Sequence, residues 1–108
     1  KYVENDELGT NLIFRKFHNS ARVGKNDVSD EVVAISAREG AEFEDVRHLV
    51  SGAQGAEVLK TGDLSKGIFW AGMIQGLIHD IPTCQELIDR IIGGAEQIVR
   101  ERLNGMLV

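Results

Sequence analysis

The side chains best suited to metal binding or proton transfer in this sequence are three histidines and one cysteine. His18, His48 and His79 lie far apart, and no cysteine or carboxylate cluster accompanies them at the spacing of metal ligands. Because Cys84 is the single cysteine, no disulfide can form within the chain, which is typical of a reducing cytoplasm. The sequence therefore predicts a cytoplasmic location, no metal site and no catalytic residue among these four side chains.

Glycine is the second unusual feature, and it is concentrated in the stretch GDLSKGIFWAGMIQGLIHDIP at residues 62–82. Asp63 or Ser65 can cap a helix here, so we predict a glycine-containing helix over residues 63–80. On such a helix Gly72 and Gly76 lie on the same side and form a flat notch. Glycine weakens a helix interior by roughly 1 kcal/mol relative to alanine, so the notch calls for a close neighbour.

Two kinds of neighbour fit this notch. A second helix would pack against the two glycines, which the spacing alone favours. A flat ligand ring would instead lie against them, with Trp70 and Met73 as apolar walls. In both cases we expect Gly72→Leu to destabilise the protein more than Gly67→Leu, because a larger side chain overpacks a tight contact.

Length and composition limit the classes of function. The chain has 108 residues, which predicts one small domain over residues 1–108. The formal net charge of -5 disfavours general nucleic-acid binding, which requires a basic face. No apolar run approaches the roughly 20 residues that cross a bilayer. We therefore expect neither nucleic acid nor a membrane as a partner.

The remaining elements follow from hydrophobic periodicity and capping signals. Residues 10–25 predict a β-ribbon, and residues 29–60 predict short helices. Pro82 ends the preceding element, and Thr83 with Glu86 forms a capping-box pattern. From there apolar residues recur every three or four positions, which predicts an amphipathic helix over 83–106. The expected fold is mostly α with a short β-hairpin (α+β).

The stretch GDLSKGIFWAGMIQGLIHDIPTCQELIDRI resembles the C-terminal motif of the nitronate monooxygenase family, formerly called 2-nitropropane dioxygenases, which includes flavin-type enoyl-acyl-carrier-protein reductases. The upstream stretches DELGTNLIFRKFHNSARVGKNDVSDEVV and FEDVRHLVSGAQG match the same family in order, so the resemblance spans nearly the whole chain. Members are FMN-dependent TIM barrels. The resemblance implies that this chain corresponds to the helical C-terminal part that follows the last barrel strand.

The resemblance also implies a role for the glycine-rich stretch. It places Trp70, Ala71, Gly72, Met73 and Gln75 on the wall of the substrate cavity. Many relatives have Ala-Gly-Gln where this chain has Ala71-Gly72-Met73, so a polar contact made by that glutamine is lost here. The phosphate-binding loops for FMN and the catalytic histidine lie upstream in the family. This chain alone is therefore expected to hold no FMN-binding or catalytic residue and to be inactive.

Two functions from different classes follow. The first is the C-terminal portion of an FMN-dependent oxidoreductase, a monooxygenase of alkyl nitronates or related small acidic carbon compounds, in which this chain covers the active-site cavity. The alternative is a stand-alone, non-enzymatic helical module that self-associates. The expected partner is the missing barrel portion in the first case and further copies of the chain in a homo-oligomer in the second. A regulatory domain that uses the acidic surface is a third, weaker option.

Overall fold

A short β-hairpin and four α-helices form the fold in the computed structural model, which describes residues 1–107. The fold is mostly α with one two-stranded antiparallel sheet, as predicted. The strands and helices are β1 (Thr10–Ile13), β2 (Ala21–Gly24), α1 (Asp27–Ser36), α2 (Phe43–Arg47), α3 (Gly52–Thr61) and α4 (Cys84–Gln97). Four 3₁₀ turns lie at Tyr2–Glu4, Arg15–Phe17, Leu64–Lys66 and Met73–Leu77. After α4 the chain continues as a π-helical segment, Ile98–Leu103, and a last 3₁₀ turn, Asn104–Met106.

The hairpin lies where the sequence predicts it. Thr10 pairs with Gly24 and Ile13 with Ala21, which sets the antiparallel register. Its long connection turns through Phe14 and His18, both in the left-handed region with φ of 62° and 57°. Phe14 is buried, so packing holds this unfavourable backbone in place.

The main core lies between the hairpin and α1. Asn26 caps α1: its side-chain oxygen accepts a hydrogen bond from the Ser29 N–H at 2.8 Å, and the Ser29 hydroxyl accepts one from the Asn26 N–H. The helix therefore begins at Asp27, two residues before the predicted range 29–60. Each residue of this core is less than one-tenth exposed: Ile13, Phe14, Val23, Val32, Ile35, Val46 and Ile68.

The helix predicted over residues 63–80 is wrong. Two short 3₁₀ turns occur there, separated by an extended stretch. The cause lies in partners distant in sequence: the Asn26 side-chain amide donates to the carbonyls of Leu64 and Gly67, at 2.7 and 2.9 Å. The Gly24 N–H donates to the Phe69 carbonyl at 2.8 Å. In a helix, the carbonyls of residues 64, 67 and 69 would accept hydrogen bonds from later residues of the same helix. Here they accept them from Asn26 and Gly24 instead.

Helix α4 begins where the capping box predicts, with reciprocal bonds between Thr83 and Glu86. None of the described residues from Cys84 onward is buried. The radius of gyration is 18.5 Å, compared with about 13 Å for a compact chain of this length. The accessible surface is 8069 Å², roughly 2,100 Å² more than the ~5,950 Å² of a compact monomer of this mass. Within residues 1–107, no helix combines the length and the apolar character needed to cross a membrane.

Candidate functional site

The first of the predicted cavity-wall residues, Trp70, Ala71 and Gly72, lie in an extended stretch beside β2. Trp70 forms an isolated antiparallel bridge with Val23, next to the hydrogen bond that joins Gly24 to Phe69. Phe69 and Ala71 face inward and are 6% and 8% exposed, whereas Trp70 faces outward and is 65% exposed. The alternation is that of a strand and not of a helix. The Trp70 indole therefore faces solvent, while the backbone beside it is held by the bridge to Val23 and the hydrogen bond between Gly24 and Phe69.

Gly24 permits this approach. A Cβ at Gly24 would lie 2.1 Å from two ring atoms of Phe69, far inside van der Waals contact. The ring is held on its other side by Tyr2, whose ring meets it edge-on with centroids 5.7 Å apart. The sequence predicted a close approach within residues 62–82, where the structure has one at Gly67 and one at Gly76 but none at Gly72; the approach at Gly24 was not predicted.

Tyr2 is the first of two N-terminal contacts that fix the stretch. Its hydroxyl donates a hydrogen bond of 2.6 Å to the Trp70 carbonyl. A residue at the start of the described chain thus sets the position of Trp70, although 68 positions separate the two. No local pattern in the sequence could have indicated this contact.

Gln75 makes the second contact. Its side-chain N–H₂ donates to the carbonyls of Asp6 and Gly9, at 2.9 and 3.0 Å, and the residue is only 1% exposed. Its side-chain oxygen has no hydrogen-bond partner, and the same is true of the Asn5 side-chain nitrogen. Gln75 is therefore buried in this structure and anchors residues 5–9.

A half-enclosed cavity of about 490 Å³ lies next to Trp70, between α3 and the extended stretch. Its lining is mainly apolar: Tyr2, Val50, Ser51, Gly52, Gly55, Ala56, Val58, Leu59, Ile68, Phe69 and Trp70. The two glycines have nothing within 4 Å of a Cβ position, so they leave the α3 side of the cavity open. The volume is in the range of small-molecule pockets.

Beyond this cavity, residues 70–81 expose a row of apolar side chains, which we call the Trp70 face. It consists of Trp70 at 65% exposure, Met73 at 51%, Ile74 at 70%, Leu77 at 74%, Ile78 at 40% and Ile81 at 90%. Neighbouring inward residues, Ala71 and Gln75, attach the face to the rest of the protein. So many exposed large apolar side chains within twelve residues are characteristic of interaction sites.

The five predicted wall residues thus divide into two groups. Trp70, Gly72 and Met73 are exposed, and Trp70 also borders the cavity. Ala71 and Gln75 are buried and serve packing. The Gly72–Gly76 notch does not exist: a Cβ at Gly72 has its nearest neighbour at 3.7 Å, whereas one at Gly76 would lie 2.9 Å from the Glu7 nitrogen.

Charged groups lie at the end of the Trp70 face, at Asp80, and around the start of α4. The Arg90 guanidinium donates to the Asp80 carboxylate at 2.9 Å and lowers the pKa of that carboxyl. The Thr83 N–H and hydroxyl bond to Glu86 and lower its pKa as well. Both carboxylates are therefore ionised at neutral pH, and they stabilise the beginning of α4.

The residues at the start of the Trp70 face fit one part of FMN and not another. Residues 70–75 contribute apolar side chains and no charged one, and Gln75, their single polar side chain, is bonded inward. This set fits an apolar wall beside a flat ring, but it does not fit the phosphate of FMN, which requires N–H groups or cations. Nor do three or more His, Cys, Asp or Glu side chains gather as metal ligands anywhere in residues 1–107.

No protein-family model matches the chain.

Proposed function

We propose that this chain is the C-terminal portion of an FMN-dependent oxidoreductase resembling nitronate monooxygenase, in which it covers part of the active-site cavity. Flavin chemistry would be supplied by FMN bound to a barrel contributed by other residues. The present chain would supply apolar walls and exclude water from the cavity. It holds no catalytic residue of its own.

The observation that carries this proposal is the Trp70 face. Six large apolar side chains within residues 70–81 are exposed, and the first half of this stretch is fixed by the contacts of Trp70 with Tyr2 and β2 and of Gln75 with Asp6. A rigid, exposed apolar surface is suited to a permanent partner, because little conformational entropy is lost when it docks. The stretch that carries the resemblance to the family is the same stretch that forms this surface.

The test uses the natural protein, purified from its own cells with its flavin. Trp70→Ala and Met73→Ala are expected to raise the KM for an alkyl nitronate several-fold while the FMN content per chain stays constant, because the walls change and the flavin site does not. Val33→Ala is the control, since Val33 is also partly exposed, at 41%, but lies on α1 away from the Trp70 face. Unchanged kinetics in both wall variants would contradict the proposal.

A second candidate function is the stand-alone module, and one observation favours it. Residues 10–68 enclose their own core, in which Val23, Val32 and Val46 are 0% exposed. A piece with such a core can fold without a barrel. Titration of the isolated chain with FMN, followed by flavin fluorescence, tests whether these residues hold a flavin site of their own. We expect no saturable quenching at low micromolar protein, and saturable quenching would place an FMN site within these residues.

A further inference from the structure

Asn104 and Gly105 are adjacent residues in the last 3₁₀ turn of the helical arm, which comprises residues 84–107. We propose that this pair is a site of spontaneous covalent modification, at which the Gly105 backbone nitrogen attacks the side-chain carbonyl carbon of Asn104. Ammonia leaves and a five-membered cyclic imide forms. Water then opens the imide at either of its carbonyls and leaves aspartate or isoaspartate at position 104. The inference goes beyond the proposed function, because it concerns neither the flavin cavity nor the Trp70 face.

The reaction needs only water and the two residues themselves. The Gly105 nitrogen gives its proton to a base in the solvent as it forms the new bond to carbon. The side-chain nitrogen of Asn104 departs with the electron pair of the broken bond and takes up a proton. Water thus replaces ammonia, so the mass rises by about 1 Da and the side chain acquires a carboxylate. No atom is oxidised or reduced.

Gly105 makes this asparagine more reactive than the others. A side chain on the following residue hinders the approach of its nitrogen to the asparagine, and glycine has none. Packing does not require a glycine here, because a Cβ at Gly105 would meet nothing within 4 Å. Alanine can therefore replace Gly105 without a clash, which provides a variant that changes the reaction and keeps the local fold.

The turn around Asn104 must open before the reaction takes place, and it is built to open easily. Asn104 has helical backbone angles, φ of -63° and ψ of -34°, which hold the Gly105 nitrogen away from the side-chain carbon. The turn Asn104–Met106 is closed by a hydrogen bond of 3.1 Å from the Leu107 N–H to the Asn104 carbonyl. Short 3₁₀ turns have poor hydrogen-bond geometry, and exposed ones open at little cost. Asn104 and Gly105 are both exposed, so opening removes neither from a core.

The position of Asn104 on the arm keeps it within reach of water. Asn104 continues the row of Glu96 and Arg100 at four-residue steps, and these two form a salt bridge with an N–O distance of 3.8 Å. This polar row borders the apolar stripe of the arm and is not part of it. A partner that covers the stripe therefore leaves the row at the rim of the contact, where interfaces are polar and accessible to solvent.

The other four asparagines are less suited to the reaction. The side-chain amides of Asn11 and Asn26 each donate two hydrogen bonds, of 2.7 and 2.9 Å, that hold them in place. Asn5 and Asn19 are each followed by a residue with a side chain. Asn19 is exposed, as Asn104 is, so the comparison between these two isolates the effect of the following glycine.

The first test incubates the purified 108-residue chain at about pH 8 and 37 °C and follows each asparagine by peptide mapping with mass spectrometry. We expect Asn104 to convert at least about tenfold faster than Asn19, and Gly105→Ala to slow the conversion by a similar factor. Gly93→Ala is the control, because it makes the same substitution on the same arm, also at a site with nothing within 4 Å, and should leave the rate unchanged. Equal rates at Asn104 and Asn19, or an unchanged rate in Gly105→Ala, would overturn the inference.

A second test moves the same dipeptide to a position that the fold holds rigidly. Asp27→Gly places a glycine after Asn26, whose side-chain oxygen and nitrogen are both bonded, while Asp27 itself is exposed. With rates divided by those in about 8 M urea, Asn26 of this variant should be protected at least about tenfold more than Asn104. Circular dichroism checks that the variant is folded. Equal protection of the two sites would show that the open turn plays no part, and would overturn the inference.

Discussion

Adding a single methyl group at Gly24 tests the packing that fixes the Trp70 face. In Gly24→Ala the new Cβ would lie 2.1 Å from two atoms of the Phe69 ring, and ordinary contact begins near 3.4 Å. The ring would have to retreat by more than 1 Å. It is 6% exposed and meets Tyr2 edge-on, so a shift of the ring disturbs this contact, and the free space beside it is the cavity of about 490 Å³ that Phe69 borders.

The expected loss of stability follows from these contacts. Overpacking of a well-packed site destabilises by about 1–3 kcal/mol. The destabilisation cannot exceed that of losing the buried Phe69 side chain completely, about 3–5 kcal/mol, because the protein can relax by moving the ring out of the core. For a domain of this size, 1–3 kcal/mol lowers Tm by roughly 4–20 °C.

Urea unfolding of the 108-residue chain measures this effect, with tryptophan fluorescence as one signal because Trp70 directly follows Phe69. Gly55→Ala is the matched control: Gly55 lies within α3 and a Cβ there meets nothing within 4 Å. It is expected to stabilise by up to about 1 kcal/mol through helix propensity. If Gly24→Ala unfolds within about 0.5 kcal/mol of the wild type, the close approach of Phe69 to β2 is refuted.

Three further outcomes are expected. Gly67→Ala should destabilise more than Gly72→Ala in denaturant midpoints, because a Cβ at Gly67 lies 3.0–3.2 Å from Gln54 atoms while Gly72 is open, and equal midpoints would contradict this. Gln75→Met should cost about 1–3 kcal/mol, measured by urea unfolding, since the hydrogen bonds to the Asp6 and Gly9 carbonyls are lost; a neutral effect would show that these carbonyls find other partners. Because the folded-state pKa values of Asp80 and Glu86 lie below their usual 3.8 and 4.5, their stabilisation of α4 is present above about pH 4.5 and is lost as pH falls below 3.8. Helical circular dichroism from pH 6 to 2 should decline accordingly, and less in Glu86→Gln; identical profiles would contradict this cause.

Local signals predicted the fold class and the ends of several elements. Thr83 and Glu86 specify the start of α4, because a capping box involves only residues three apart. The hairpin was also predicted within its bounds. Helix α3 was predicted only as part of the short helices over residues 29–60, without its start at Gly52 and its cap at Ser51.

The sequence singled out the stretch that contains the candidate site, but it predicted the wrong backbone conformation for that stretch. Periodicity over residues 63–80 favours a helix, but side-chain and backbone bonds from Asn26 and Gly24 fix this stretch in an extended form. These partners are about 40 residues away, where local propensity carries no information. The burial of Gln75 likewise depends on the carbonyls of residues 6 and 9, whereas its place on a cavity wall was an implication of the family resemblance.

The central claim is that this chain covers the cavity of a larger FMN-dependent enzyme. Its most direct test is the intact mass and flavin content of the natural protein, purified from its own cells with an antibody against the arm at residues 84–107. We predict a single polypeptide longer than this chain by roughly 200 residues or more, the scale of a barrel, that releases about one FMN per chain on denaturation. A natural protein of 11.9 kDa without flavin would contradict the claim and establish the chain as an independent module.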